Sequence, residues 1–192
     1  MFFHIDFVDS GLVAALCDAF IFPFIGMTSM ACADECGYGL FDLTLTVLTS
    51  DEVSLEVGMT NSITHNNYEP EVNALFTAIR SRVDSDPSLI ISFIPFIREV
   101  SGYEVVAAMD KSCGGIPIWG SITNNVDFSY ETVQIVCNGE NLRSGIAMMF
   151  NNGSIQPSFV VSSLPELIYP KHAEPLRRAK AQYYGRLSIS LF

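Results

Sequence analysis

The chain has 192 residues, 49 % of them hydrophobic and 16 % charged, with a formal net charge of −11. This composition excludes a disordered chain and can supply the core of one large or two small domains, of which the length favours one. Apolar runs such as residues 20–25 are too short to span a bilayer, and acidic residues appear at once after the start, unlike in a signal peptide. We therefore expect a cytoplasmic protein whose five cysteines stay reduced.

The charge is unevenly distributed along the chain. Residues 1–170 contain twenty acidic and five basic residues, whereas residues 171–192 contain one acidic and five basic residues. An acidic body has no electrostatic reason to bind nucleic acid or an anionic membrane. The sequence therefore predicts neither as a partner, and the basic end requires an explanation of its own.

The first predicted elements are a strand, a helix and a second strand. Residues 1–8 alternate in part and are rich in Phe and Ile, which indicates a strand. Residues 10–20 show apolar residues at helical spacing after a candidate N-cap. Residues 21–29 predict a second strand, and residues 30–39 predict a loop closed by glycines.

The middle of the chain predicts a hairpin followed by alternating helices and strands. Residues 40–50 alternate apolar and polar side chains and would pair with a strand at 52–60 across a short turn. Residues 69–83 predict a helix with a proline in its first turn. The apolar run 88–96 is typical of a buried strand, and residues 102–115 predict a helix ended by paired glycines.

The last predicted elements are strands. One covers residues 116–121, and three more cover residues 132–137, 145–150 and 155–163, separated by Asn-Gly turns. The mixture predicts an α/β fold: a layered sandwich with one or more mixed β-sheets of about eight to nine strands, covered by about three helices.

Two predicted strands end in the same pattern of proline, two large apolar residues, glycine and then hydroxyl side chains. The first copy is "PFIG" at 23–26 and the second is "PIWG" at 117–120. Glycine lets a ligand approach the backbone at a strand end, and hydroxyls offer donors and acceptors. Two such ends side by side would form a polar pocket lined by Thr28, Ser29, Ser121, Thr123 and Asn124. In the alternative, the glycines let the chain leave the sheet and the hydroxyls bond the local backbone.

Other reactive residues give weaker signals. Cys32 and Cys36 are four apart with no second ligand pair, so we predict no metal and no cofactor. An enzyme would need Cys32, Thr28 or Ser121 as nucleophile and His4 as the nearby base. No established catalytic motif is present, and we predict that the chain is not an enzyme.

The ordered stretches "FHIDFVDSGLVAALCDAFIFPFIGMTSM", "DLTLTVLTSDEVSLEVGMT" and "IPIWGSITNNVDFSYETVQIVCNGENLRSGIAMMFNNGSIQPSFVVSSLPE" resemble the N-terminal half of the FIST family of sensory proteins. The resemblance covers residues 2–168, and its Gly-Ser/Thr strand ends match Gly26, Thr28, Gly120 and Ser121. It implies a bacterial intracellular signal-transduction protein that binds small molecules such as amino acids. Its partner would be a C-terminal FIST half or a signalling protein.

The resemblance also suggests a domain boundary. It stops near Glu166, and we predict a FIST N-terminal-like domain at 1–168 followed by a basic tail at 169–192 that is truncated or divergent. In the alternative, the tail is a genuine basic helix that packs on the acidic body.

We thus predict a ligand-binding sensory domain; the alternatives are an inactive or docking fragment of a larger FIST protein and an enzyme with a Cys, Ser or Thr nucleophile. The predicted ligand contacts are made by Gly26, Thr28, Ser29, Trp119, Gly120, Ser121, Thr123 and Asn124, with Tyr130 as a further packing candidate.

Overall fold

The computed structural model describes residues 1–34, 37–124, 132–159 and 187–188. Its helices within those ranges are α1 (Asp6–Asp9), α2 (Leu12–Ala19), α3 (Tyr68–Arg80) and α4 (Gly102–Cys113). Its strands there are β1 (Phe2–Phe3), β2 (Ile25–Thr28), β3 (Cys32–Asp34), β4 (Gly37–Gly39), β5 (Leu43–Thr44), β6 (Ser54–Met59), β7 (Leu89–Ile94), β8 (Ile118–Ile122), β9 (Ile135–Cys137), β10 (Glu140–Leu142), β11 (Ala147–Asn152), β12 (Ser158–Phe159) and β13 (Leu187–Ser188).

Two mixed sheets contain most of these strands. The larger has five strands in the order β10-β9-β2-β1-β5, and only β1 and β2 run parallel in it. The smaller has four strands in the order β6-β11-β7-β8, and only β7 and β8 run parallel in it. The prediction of an α/β fold with mixed sheets is confirmed.

Three apolar clusters hold the layers together. The cluster between the two sheets joins Ile25, Met27 and Ile135 of the larger sheet to Val57, Phe93 and Met149 of the smaller one. A second cluster packs α1 and α2 on the outer face of the larger sheet. A third packs α3 and α4 on the outer face of the smaller sheet. The result is a four-layer sandwich in which each sheet buries one face on helices and the other on its neighbour.

Local signals in the sequence explain the two long helices. Ser101 caps α4 by accepting a hydrogen bond from the Glu104 N–H, and the Glu104 carboxylate accepts one from the Ser101 N–H in return. Gly114 ends the same helix in the left-handed conformation, at φ 66°. The predicted helices at 69–83 and 102–115 are confirmed, although they end earlier than predicted, at Arg80 and Cys113.

The predicted strand at residues 1–8 is wrong beyond its first residues. Only Phe2 and Phe3 pair with neighbours, and a single helical turn, α1, follows. The predicted hairpin of 40–50 with 52–60 is also wrong, because β5 pairs with β1 whereas β6 pairs with β11 in the other sheet. The second mistake arises because an alternating pattern reports a half-buried face, not which strand lies beside it.

Short strands also lie where the sequence predicted a loop. β3 and β4 form a small antiparallel pair within residues 30–39, and β10 follows β9 directly. The turn between β9 and β10 is the predicted Asn138-Gly139 pair, with φ of 47° and 89°. Both residues occupy the left-handed region that such two-residue turns require.

The chain divides into two compact units, Met1–Ile155 and Gln156–Phe192. Both sheets and all the helices named above belong to the first unit, and the described part of the second is the antiparallel pair β12–β13. The predicted boundary at residue 168 lies outside the described residues and stays a prediction, as does the nature of the tail. No helix in the described ranges has the length and apolar character needed to cross a membrane.

Gly120 permits the close approach of β8 to β7. A Cβ atom added there would lie 1.8 Å from the carbonyl oxygen of Ser92, its register partner on β7. Gly26 is less crowded, with a Cβ atom placed 3.2 Å from the Met1 carbonyl oxygen. Each glycine therefore has a packing reason to lack a side chain.

We expect Gly120→Ala to lower the free energy of unfolding by about 1–3 kcal/mol, because the added methyl group forces the two parallel strands apart. Urea unfolding of the variant beside the matched control Ser121→Ala, one residue further along the exposed edge, measures the effect. Equal stability of the two variants would contradict the close approach of β8 to Ser92.

Candidate functional site

The two strand ends meet, although their strands belong to different sheets. The backbone N–H of Asn124, just after β8, donates to the carbonyl oxygen of Thr28 at 3.4 Å. The side-chain oxygen of Asn124 accepts from the backbone N–H of Met30 at 2.5 Å. The N–H of Thr123 donates to the carbonyl oxygen of Ile94 at 2.9 Å, which holds the end of β8 beside the end of β7. The chain ends of β2, β7 and β8 therefore come together at one end of the sandwich.

The hydroxyls on the β2 side bond to the backbone. The Thr28 hydroxyl accepts from the Gln134 N–H at 3.0 Å and lies 3.4 Å from the Gln134 carbonyl oxygen. The Ser29 hydroxyl donates to the Ala31 carbonyl oxygen at 2.5 Å, and the Ser29 N–H donates to the Phe3 carbonyl oxygen. These contacts fix the turn that follows β2, as in the structural alternative drawn from the sequence.

Buried polar atoms without a partner distinguish the same region. The Thr123 hydroxyl is completely buried, and within the described residues it has no hydrogen bond. The same holds for His4 Nε2 and the Gln134 side-chain oxygen, on residues that are 2 % and 9 % exposed. Buried polar atoms in folded proteins are nearly always paired. Three such atoms on neighbouring strand ends mark this region as unusual.

Trp119 and Ser121 are placed differently along β8. Trp119 is half-buried and packs against the cluster between the sheets, whereas Gly120 and Ser121 are exposed. Since side chains alternate along a strand, Trp119, Ser121 and Thr123 share the side that faces the larger sheet. Tyr130 lies outside the described residues. The strand ends thus bring Thr28, Ser29, Thr123 and Asn124 together, with Trp119 and Ser121 along the adjoining edge.

Nothing in the local sequence points to Gln134, and His4 enters the sequence analysis above as a possible base for a nucleophile. Gln134 joins the site because β9 lies beside β2 in the larger sheet, with Gly26 opposite Val136 and Met27 opposite Ile135. That pairing joins residues more than a hundred positions apart, so no local pattern reveals it.

Comparison with protein families identifies the family of the chain. The FIST N domain model matches residues 1–164. The chain belongs to the FIST N family. No curated protein and no solved structure gives a significant match. FIST domains are sensory domains of signal-transduction proteins, so the sensory role expected from the sequence resemblance holds at the level of the family.

Within this FIST N domain, His4 is not arranged as a base for a nucleophile. Its Nδ1 accepts from the Asp6 N–H at 3.3 Å and lies 3.5 Å from an Asp6 carboxylate oxygen. The Cys32 thiol donates to the Asp42 carbonyl oxygen at 3.4 Å, and burial raises the pKa of that thiol. A raised pKa disfavours the thiolate that a cysteine nucleophile needs. Cys36 lies outside the described residues.

Two open recesses lie away from the strand ends. One, of about 370 Å³, is lined by the aromatic segment Phe20–Phe24 together with Cys17, Glu56 and Asn138. The other, of about 450 Å³, lies where β6 and β11 meet the end of α3. Among the described residues, no group of three His, Cys, Asp or Glu side chains is placed to hold a metal ion.

Two buried thiols make the stability of the FIST N domain depend on pH. Burial raises the pKa of both Cys113 and Cys137 from 9.0 to about 12. Above pH 9 the unfolded chain loses these protons while the folded chain keeps them, so folding stability falls as pH rises. The expected loss approaches about 1.4 kcal/mol per pH unit for each thiol.

Urea unfolding between about pH 8 and pH 10 measures this slope. The double variant Cys113→Ala/Cys137→Ala lacks both thiols, so its stability should fall less steeply over that range. Parallel pH profiles for the two chains would contradict the raised pKa values, because they would show that these thiols bind protons equally well in the folded and the unfolded chain.

Proposed function

We propose that this FIST N domain senses a small molecule bound at the joined ends of β2 and β8. The observation that carries the proposal is the Thr123 hydroxyl, which is fully buried there without a hydrogen bond among the described residues. Leaving a buried hydroxyl unpaired costs about 1–3 kcal/mol, so a valine would make a more stable strand end. A threonine at this position is accounted for if a bound molecule supplies the missing partner.

The neighbouring unpaired atoms indicate which chemistry the ligand has. His4 Nδ1 lies 3.3 Å from the Asp6 backbone nitrogen and 3.5 Å from an Asp6 carboxylate oxygen, which leaves Nε2 as the free ring nitrogen. His4 Nε2 donates or accepts according to its tautomer, Gln134 offers an acceptor oxygen, and the Thr123 hydroxyl offers both a donor and an acceptor. A ligand that carries an anionic or carbonyl acceptor together with an N–H donor suits this set. A free amino acid is such a molecule.

Hydrogen bonds connect the proposed ligand position at the end of β8 to the turn that follows β2. Asn124 contacts both Thr28 and Met30, so a shift of the β8 end reaches the residues that follow β2. Ser29 bonds to the carbonyl oxygen of Phe3, which connects the same turn to β1. We infer that ligand binding at Thr123 alters the turn after β2, and that a C-terminal FIST half or a signalling protein reads this change.

The variant Thr123→Val tests the proposal because it keeps the shape of the side chain and removes only the hydroxyl. We expect the unliganded variant to be more stable than the wild type by about 1 kcal/mol, since a buried unpaired group disappears. We also expect it to lose the rise in melting temperature that its ligand causes in the wild type. Thermal unfolding with a panel of free amino acids and small metabolites measures both effects.

Thr28→Val is the matched control. It removes an equally buried hydroxyl that is already bonded to Gln134, so it leaves the Gln134 N–H without its acceptor and destabilises the unliganded protein. Opposite signs for the two variants support the assignment. A stable wild type that no panel member protects, together with a destabilised Thr123→Val, would refute a ligand site at Thr123.

A second candidate function is docking onto another protein domain. Exposed apolar side chains are concentrated in one segment at 38–47, which includes Tyr38, Leu40, Phe41, Leu45 and Val47. A concentration of this kind is typical of interaction surfaces.

We expect the double variant Tyr38→Ser/Val47→Ser to reduce self-association and the binding of a hydrophobic dye, because it removes two exposed members of that segment. Sedimentation at high micromolar concentration and dye fluorescence measure the two effects. A wild-type chain that is monomeric and binds no dye would oppose the docking function.

A further inference from the structure

The acidic recess at the other end of the smaller sheet has the features of a second binding site. We define it by its lining residues, which are Glu52, Ser54, Glu56, Arg82, Val83, Asp84, Ser85, Asn152 and Gly153. Because Ser54 on β6 pairs with Asn152 on β11, the recess lies where β6 begins and β11 ends. Thr123 follows the carboxyl end of β8, which is the opposite end of that sheet. The recess is therefore separate from the site proposed above.

The acidic recess contains more negative charge than its one basic residue, Arg82, can pair. The Arg82 Nε atom lies 3.7 Å from a Glu56 carboxylate oxygen, and the Arg82 Nη2 atom donates to the Val57 carbonyl oxygen at 2.7 Å. Glu52 and Asp84 have no ion pair with any described residue. The recess thus holds three carboxylates and one guanidinium, and that guanidinium is already engaged.

An unpartnered oxygen adds a second, independent feature. Asn152 is 6 % exposed, and its side-chain oxygen is buried without a hydrogen bond among the described residues. Its side-chain nitrogen lies 3.3 Å from the Ser54 carbonyl oxygen and 3.5 Å from the Phe150 carbonyl oxygen. If the Asn152 amide were flipped, its oxygen would face the Ser54 and Phe150 carbonyl oxygens, and an acceptor cannot bond to an acceptor. The atom without a partner is therefore the side-chain oxygen.

The unpaired carboxylates of the acidic recess and the free Asn152 oxygen are therefore acceptors. Carboxylate oxygens and an amide oxygen accept hydrogen bonds, and an ammonium group has three donors and no acceptor. We propose that the acidic recess binds an aliphatic di- or polyamine, with one ammonium group near Asn152 and Glu52 and another near Asp84.

A metal ion fits this arrangement less well than an amine does. A hard cation needs several oxygen ligands converging on one point, and no group of three acidic, His or Cys side chains in the described ranges is so placed. An extended amine distributes its charge along a chain and can meet carboxylates that lie apart. The volume of about 450 Å³ leaves room for a four-carbon diamine with water around it.

Titration calorimetry of the full chain with 1,4-diaminobutane tests the proposal. Saturable binding at one site is expected, whereas the uncharged analogue 1,4-butanediol should give no heat of binding. In an isotope-labelled sample, the side-chain amide resonance of Asn152 should shift along the same titration curve, because its oxygen accepts from the ligand. Glu52→Gln and Asp84→Asn should each weaken binding by about two- to fivefold, the size expected of a solvent-accessible ion pair.

Asp9→Asn is the matched control, since it removes one negative charge from α1, outside the acidic recess. It should leave the affinity for the diamine within error of the wild type. An equal loss of affinity in all three variants would show non-specific attraction to an acidic protein and overturn the proposal. Displacement of the diamine by an equimolar amount of magnesium chloride would overturn it as well, in favour of a metal site.

Discussion

The face-to-face packing of two sheets is the constraint on which the rest of this structure depends. Phe2 of β1 and Phe93 of β7 meet across the interface with ring centroids 5.1 Å apart, within a cluster that buries Met27 and Ile135. Large apolar side chains buried in this way each contribute about 1.5–3 kcal/mol. Because the packing fixes the two sheets against each other, strands that share no ladder can end side by side. The hydrogen bond between Asn124 and Thr28 exists for that reason.

The two ends of the smaller sheet differ in chemistry. At the end of β8 the unpaired buried group is the Thr123 hydroxyl, which can both donate and accept. At the end of β11 it is the Asn152 side-chain oxygen, an acceptor in a recess lined by carboxylates. Buried polar atoms reduce stability when they are left unpaired, so each of these two atoms calls for an explanation. The two sites proposed above therefore require ligands of different chemistry.

The sequence predicted the layers of this fold better than its strand pairing. The paired glycines that end α4 and the Asn138-Gly139 turn act on neighbours in the chain, so a local pattern is enough to predict them. The neighbours of β1 and β5 are decided by contacts far along the chain, and no local pattern reports them. The same holds for the site: the paired strand ends were predicted, but Gln134 depends on the pairing of β9 with β2. The ligand contact predicted at Gly120 stays a prediction, and the structure adds that the backbone of β7 lies close beside this residue.

The positions of β9 and β11 in their sheets determine when this protein can fold. β2 precedes its partner β9 by more than a hundred residues, and β11 lies between β6 and β7, both of which are made long before it. During synthesis, therefore, the larger sheet can be completed only after residue 142 has left the ribosome, and the smaller sheet only after residue 152. Until then the apolar faces that later form the interface between the sheets remain without their central strands, and contacts of such large sequence separation form slowly. The unfinished chain is thus the state of this protein most exposed to aggregation.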